Sequence, residues 1–203
     1  MTAADVLTFW FGDWDDALPL ADSDPQTIRW WGKVPEVDRT IQDRFGALHT
    51  ELVHEGWRAW SDSPEDLLAC VIVLDQFSRV VYRGQRQAYA NDPRARALTQ
   101  RALDLGWVAS MSPIQRTFLL MPLVHAEDRA SHSRATAMLG ELVEEVAAAG
   151  SPRLDYYRRV LNHAVEHKQI IDRFGRYPHR NIVLERTSTP EELAYLQDET
   201  PGF

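Results

Sequence analysis

Residues 173–181, RFGRYPHRN, place three arginines and a histidine in one short stretch of an otherwise acidic chain. Guanidinium groups are suited to binding carboxylate or phosphate through two parallel hydrogen bonds. Gly175 permits a sharp turn, and Pro178 restricts the residue before it to an extended conformation. Such a turn can hold cationic side chains in a fixed arrangement. We therefore predict an anion-binding site with contributions from Arg173, Arg176, His179, Arg180 and Asn181.

A second charged group lies in residues 74–84, LDQFSRVVYRG. Asp75, Arg79 and Arg83 follow one another at intervals of four, so they share one face of a helix, with Gln76 beside it. The preceding turn is wholly apolar, so the helix enters from the core, where an unpaired charge is costly. Either Asp75 and Arg79 form a purely structural ion pair, or one arginine keeps donors for a ligand.

The segment 118–128, FLLMPLVHAED, ends in polar residues after an apolar run. Pro122 is predicted to break or kink the helix, which would hold His125, Glu127 and Asp128 at the edge of the core. His125 is then either a general base oriented by a carboxylate or a buried histidine with satisfied hydrogen bonds.

The residues His163, Glu166 and His167 spell HxxEH, a pattern found in inverted zinc proteases. The two histidines share a helix face, and His125 or Glu127 would have to supply a third ligand. Five-letter patterns also arise by chance. A metal-dependent hydrolase is therefore one alternative, but no residue is assigned as a metal ligand and the sequence identifies no cofactor.

Aromatic residues are frequent in the first third of the chain. Core packing explains most of them, while Trp10 or Trp30 could instead line a pocket wall. The single cysteine, Cys70, lies in the apolar run LLACVIVL and is predicted to be a small buried hydrophobe.

Residue patterns typical of helix starts recur along the whole chain. Five capping residues precede prolines, at Ser63, Asp92, Ser112, Ser151 and Thr189. No alternating pattern with hairpin residues is present. The sequence predicts an all-α fold of antiparallel helix pairs in one domain, residues 1–203. The predicted helices are 3–11, 25–31, 35–55, 64–83, 92–105, 113–121, 129–149, 152–174 and 190–198.

Composition restricts the possible partners. The 203 residues carry a formal net charge of −8, so a nucleic-acid backbone is not expected to be the main partner. No secretory signal and no apolar run of membrane-spanning length is visible, and the cytoplasm is the expected location. Local basic clusters in an acidic chain favour a small anionic molecule, and a peptide is the second possibility.

These segments together resemble the bacterial family called domain of unknown function 924. The family's motifs have counterparts here in VLTFWFG (6–12), VLDQFSRVVYRG (73–84), PLVHAED (122–128), HKQIIDRFGRYPHRN (167–181) and LERTSTPEE (184–192). The resemblance spans nearly the whole chain and implies a helical fold similar to tetratricopeptide-repeat proteins, but no reaction. Ser78 stands where the motif has proline, Val80 replaces an asparagine, and Glu185 replaces a glycine. His163 lies outside the motif positions, which weakens the zinc alternative.

We expect three segments distant in sequence to converge on one pocket, in which an anion is bound and acid–base chemistry is possible. The candidate catalytic residues are Asp75, His125, His167 and His179. The candidate ligand-binding residues are Trp10, Trp30, Gln76, Arg79, Arg83, Glu127, Asp128, Arg173, Arg176, Arg180 and Asn181. Three alternatives stay open: a tetratricopeptide-like groove for peptides, a metal-dependent hydrolase, and arginines that all serve the fold.

Overall fold

A computed structural model describes residues 1–19, 24–54 and 56–198, and over those ranges its regular structure is entirely helical. The α-helices are α1 (Ala3–Phe11), α2 (Pro25–Trp31), α3 (Pro35–His54), α4 (Pro64–Ile72), α5 (Ser78–Val81), α6 (Asp92–Asp104), α7 (Pro113–Val124), α8 (Arg129–Ala148), α9 (Leu154–Phe174) and α10 (Pro190–Asp198). Short 3-10 turns are Gly56–Arg58, Arg86–Tyr89, Trp107–Ser110 and Pro178–Arg180. The all-α prediction is confirmed. Residue 55, which ended the predicted third helix, and residues 199–203 of the predicted domain lie outside the described residues.

Most helices begin where the capping residues predict them. The Ser63 hydroxyl accepts a hydrogen bond from the Asp66 amide at 3.1 Å, and Pro64 takes the first helical position, where its missing N–H costs nothing. One start is displaced: α9 begins at Leu154 rather than 152, and the Ser151 hydroxyl donates to the Asp16 carbonyl at 2.9 Å.

The apolar run at 67–74 forms the centre of the core. Each of its residues is at most 1% exposed, and α4 packs against α1, α6 and α7. A helix that is apolar on every side is expected to be surrounded by protein. A π-helical segment, Val73–Phe77, joins α4 directly to α5. The predicted helix over 64–83 is therefore wound differently at Asp75 and Gln76.

The sequence predicts a break or kink at Pro122, but α7 runs on through this residue to Val124. Its last turn closes with a hydrogen bond from the His125 amide to the Met121 carbonyl at 2.9 Å. Pro122 removes only one backbone donor, and all residues of α7 from Thr117 onward are buried, so packing retains the helix.

The C-terminal helices bring the two ends of the predicted site together. α8 and α9, joined by a short loop at 149–153, pack against each other, and α7 packs against α8. The Tyr177 hydroxyl donates to the Val124 carbonyl at 2.5 Å, which fixes the turn after α9 against the end of α7. No helix within the described ranges has the length and apolar character needed to cross a membrane.

Candidate functional site

A cleft of about 410 Å³ opens between the end of α5, the residues after α2, the last half of α9 and the turn Pro178–Arg180. We call it the basic cleft. Its charged or titratable lining residues are Lys33, Arg79, Arg83, Arg180, His125, His163, His167 and His179. None of the described residues that line it carries a carboxylate. Trp31, Tyr89, Ala88 and Gly84 complete the wall. The three predicted segments therefore meet at one place.

The π-helical segment sets the position of Arg79. Its guanidinium forms two parallel hydrogen bonds with the Asp92 carboxylate, at 2.9 and 3.0 Å, and lies 3.1 Å from an Asp75 oxygen. Segments of this winding occur frequently at functional sites. Arg83, one turn further, pairs with Asp38 of α3 at 2.8 and 3.0 Å and is half exposed. Both arginines line the cleft and are held in place by carboxylates that lie outside its lining.

His125 and Asp75 form a buried pair at the base of the cleft. The His125 Nδ1 lies 2.8 and 3.0 Å from the two Asp75 oxygens, and the Gln76 amide donates to the same carboxylate at 2.5 Å. Burial alone would raise the pKa of Asp75, but Arg79 and His125 hold that pKa below its ordinary value. Burial, together with the Arg79 charge, lowers the pKa of His125. The pair is therefore an ionised carboxylate beside a neutral imidazole.

Arg180 lies between two aromatic rings. Its guanidinium carbon is 4.4 Å from the Tyr177 ring centroid and 4.6 Å from that of Tyr89, geometry that favours cation–π attraction. Its Nη1 lies 3.3 Å from Asp92, and its Nε is buried without a hydrogen-bond partner. Arg180 is thus held in place by two aromatic rings and by Asp92.

The other three histidines of the cleft are neutral at neutral pH. Burial lowers the pKa of His167 to about 2 and that of His179 to about 4, and it also lowers the pKa of His163. The His167 Nδ1 donates to the His163 carbonyl at 2.8 Å, as a neutral ring can. The positive charge of the cleft therefore comes from its arginines and Lys33.

A second, wider cleft of about 610 Å³ adjoins the first and shares Tyr89, His125 and Arg180 with it. We call it the wide cleft. The predicted Glu127 and Asp128 lie here, and both are engaged: Glu127 accepts two hydrogen bonds from Arg186, at 2.5 and 3.0 Å, and Asp128 pairs with Arg96. Asp128 also caps α8, accepting from the Ser131 amide at 2.8 Å.

Three residues predicted to bind the ligand face α10 instead. Arg176 donates twice to Glu192, at 2.6 and 2.8 Å, and Asn181 donates to the same carboxylate at 3.2 Å. Arg173 pairs with Glu191 at 2.9 Å. None of the three lines the basic cleft or the wide cleft. These contacts tie the RFGRYPHRN turn to the C-terminal helix, and a role of the three residues in ligand binding stays a prediction.

The two indoles predicted as a possible pocket wall, Trp10 and Trp30, do not line either cleft. Trp10 is 1% exposed and packs edge-on against Phe77, while the Trp30 Nε1 donates to the Trp10 carbonyl at 2.9 Å. Both therefore lie in the core, and Trp31, one position further along α2, lines the basic cleft instead. Adjacent residues on a helix point about 100° apart, so a WW pair alone does not show which ring faces the core.

Four lining or supporting residues have no strong signal in the sequence: Lys33, Tyr89, Asp92 and Arg186. The sequence predicts Asp92 as a helix cap, but Asn91 occupies the cap position. The Asp92 carboxylate binds Arg79 and Arg180 instead. Its place between a basic loop and a proline was the only available indication.

The remaining chemical candidates are inert or incomplete. Burial raises the pKa of the Cys70 thiol to about 12, which makes it a poor nucleophile. In the part of the chain that the structure describes, no group of three or more His, Cys, Asp or Glu residues is arranged to hold a metal ion.

Glu185 has the left-handed backbone conformation, with φ of 55°, where the resembling motif has glycine. This conformation costs a non-glycine residue about 1 kcal/mol. The side chain offers little in return, because its nearest cation, Arg86, is 3.9 Å away and both groups are exposed. We expect Glu185→Gly to raise the free energy of unfolding by about 0.5 kcal/mol, the strain relief less the added entropy of the unfolded chain.

Urea denaturation would measure the effect of Glu185→Gly. Glu185→Ala is the matched control, since it removes the charge but keeps the Cβ atom that is strained. Equal stabilisation by alanine and glycine would contradict the backbone explanation.

Comparison with known proteins agrees with this architecture and names no activity. The family described as "Bacterial protein of unknown function (DUF924)" matches residues 6–200. A solved structure of a protein of unknown function from Agrobacterium tumefaciens, ATU0120, is 33% identical, and the match covers 97% of each chain with a TM-score of 0.77. No curated protein matches the chain.

Proposed function

Because this chain belongs to the DUF924 family of bacterial proteins, whose description gives no activity, we propose a function from its geometry alone. The basic cleft binds a small molecule through an anionic group, a phosphate or a carboxylate. Arg79, Arg83 and Arg180 contact the anion, and the His125–Asp75 pair exchanges a proton with the bound molecule. We also propose a cytoplasmic location, since the buried Cys70 thiol needs no oxidising compartment.

One observation supports this proposal above the others. Within the described part of the chain, the basic cleft is lined by four cationic residues and by no carboxylate, although the whole chain carries a net charge of −8. The carboxylates that balance its arginines, Asp38, Asp75 and Asp92, pair with them from outside that lining. Arginines held in this way lose little side-chain freedom when a ligand binds, which favours affinity.

Acid–base chemistry is the second part of the proposal. With Nδ1 committed to Asp75, any proton exchanged with a ligand passes through Nε2 of His125. A carboxylate that orients a histidine in this way selects the tautomer with an accepting Nε2. Burial and the Arg79 charge lower the pKa of His125, so its imidazole is neutral and Nε2 can accept a proton.

A peptide-binding module is the rival function, and one observation favours it. α8 and α9 are long, joined by a short loop, and packed together, which suits a tetratricopeptide-like array of antiparallel pairs. In that case the basic cleft would receive the terminal carboxylate of a peptide. A peptide with a free carboxyl terminus would then bind more tightly than the small anion, and amidation of that terminus would abolish binding.

Arg83→Met tests the anion site with little risk to the fold. Arg83 is 45% exposed and its pair with Asp38 is a surface ion pair, worth less than about 1 kcal/mol. We expect millimolar orthophosphate or pyrophosphate to raise the melting temperature of the unmodified protein. In Arg83→Met the melting temperature without ligand should change by less than about 2 °C, while the shift caused by the anion is lost.

Arg158→Met is the control, because Arg158 is an exposed arginine of α9 that pairs with Asp155 at 3.2 Å and lines neither cleft. It should keep the full response to the anion. An equal response in all three proteins would contradict the proposed site, and a large fall in melting temperature for Arg83→Met would instead show that this arginine serves the fold.

A further inference from the structure

The two clefts meet at a wall of three residues, Tyr89, His125 and Arg180, each of which lines both. We propose that the ligand is a two-part molecule that crosses this wall. Its anionic group lies in the basic cleft, an uncharged and largely apolar part lies in the wide cleft, and the atoms that join them pass beside His125. This inference rests on the proposed function and specifies the class of molecule that the site takes.

The wide cleft differs from the basic cleft in its charge. Arg86, Arg96 and Arg180 line it, but so do three carboxylates, those of Asp92, Glu127 and Asp128. All three carboxylates are paired: Asp92 with Arg79 and Arg180, Glu127 with Arg186, and Asp128 with Arg96. The lining is therefore neutral in sum, and it does not attract a second anionic group.

Apart from Gln87 and His125, the remaining lining residues of the wide cleft are largely apolar. Ala90, Pro93, Ala126 and Leu184 lie there beside the Tyr89 ring. Burying apolar ligand surface against such a wall is favourable at about 25 cal/mol per Å². The volume of about 610 Å³ is within the range of small-molecule sites, roughly 300–1,000 Å³. An aromatic ring or a short aliphatic chain fits these properties better than a sugar or a second phosphate.

His125 lies where the two parts of such a ligand must be joined. It is 16% exposed at its side chain and borders both clefts, while Asp75 fixes its ring from below. A molecule confined to the basic cleft would use only one side of this residue. A two-part molecule places its linking atoms next to the His125 imidazole, the group that exchanges a proton in the proposed function.

Isothermal titration with orthophosphate and phenyl phosphate tests the inference. The two probes share the anionic group, and only phenyl phosphate carries an apolar part. We expect phenyl phosphate to bind about tenfold more tightly, in keeping with the burial of one ring face. Ala90→Trp, which fills the wide cleft, should remove this advantage and leave the affinity for orthophosphate within about twofold. Ala148→Trp is the matched control at the far end of α8 and should keep the advantage.

Each other outcome is informative. If phenyl phosphate binds no more tightly than orthophosphate, or keeps its advantage in Ala90→Trp, the two-part ligand is overturned. If the advantage disappears only in Trp31→Ala, the ring lies in the basic cleft and the inference is likewise overturned. If orthophosphate does not bind, or binds equally to Arg83→Met, the proposed function itself fails and this inference with it. Leu184→Trp replaces Ala90→Trp if circular dichroism shows that the latter is unfolded.

Discussion

Replacing Asp75 with alanine should lower the free energy of unfolding by about 3 kcal/mol, one of the two largest effects expected in this chain. Asp75 is fully buried and accepts hydrogen bonds from Gln76 and His125 beside its ion pair with Arg79. Removing the carboxylate leaves these donors without their acceptor in the core. The loss is moderated because Arg79 keeps its two hydrogen bonds to Asp92.

A double-mutant cycle separates the buried pair from general damage to the core. Arg79→Met together with Asp75→Ala should cost less than the sum of the single changes, because each single variant leaves a buried charge short of a partner. Asp38→Ala is the control, since it breaks the half-exposed pair with Arg83 and should cost less than about 1 kcal/mol. Additive losses for Asp75 and Arg79 would contradict the coupling.

Asp75 should also affect how the free energy of unfolding falls at acid pH. The pKa of Asp75 is lowered in the folded protein, so its contribution is present above the ordinary aspartate pKa and is lost as the pH falls through the folded value. The free energy of unfolding of the unmodified protein should therefore decline more steeply below pH 4 than that of Asp75→Asn. Equal slopes in urea denaturation series would show that Asp75 is not ionised in the folded state.

The positions of the helices could be predicted from the sequence because their signals are local. A capping residue followed by proline acts through its own first turn, and the starts at Pro64, Pro113 and Pro190 agree with the structure. The convergence of Arg79, His125 and Arg180 followed from a different kind of evidence. Each stands in a stretch where polar side chains follow an apolar run or a restrained turn, so each had to find partners near the core.

The partners themselves could not be predicted, because they depend on the packing of distant elements. Arg176 and Arg180 are four residues apart in one motif, yet the first pairs with α10 and the second faces the clefts. Arg180 belongs to the turn Pro178–Arg180 and Arg176 precedes it, but nothing local in the sequence distinguishes the two guanidinium groups. Lys33 lies just beyond α2, and only the orientation of that helix brings it to the cleft.

Replacing Glu192 with alanine should have the second large effect, a loss of about 3 kcal/mol from the free energy of unfolding. The Glu192 carboxylate is 3% exposed and accepts hydrogen bonds from Arg176, Asn181 and the Thr189 amide, so it ties α10 to the turn that carries Arg180. Without it the donors of Arg176 and of the buried Asn181 have no common acceptor. We expect the loosened turn to weaken orthophosphate binding as well.

The neighbouring residue provides the control for Glu192. Glu191→Ala breaks only the exposed pair with Arg173 and should cost less than about 1 kcal/mol, with orthophosphate binding retained. The pH dependence gives an independent check, because hydrogen bonds from Arg176 and the Thr189 amide lower the pKa of Glu192 from 4.5 to about 2. The stability difference between the unmodified protein and Glu192→Gln should be largest above pH 5 and shrink as the pH falls toward 2. A difference that stays constant over that range would mean that the tie depends on packing and not on the ionised carboxylate.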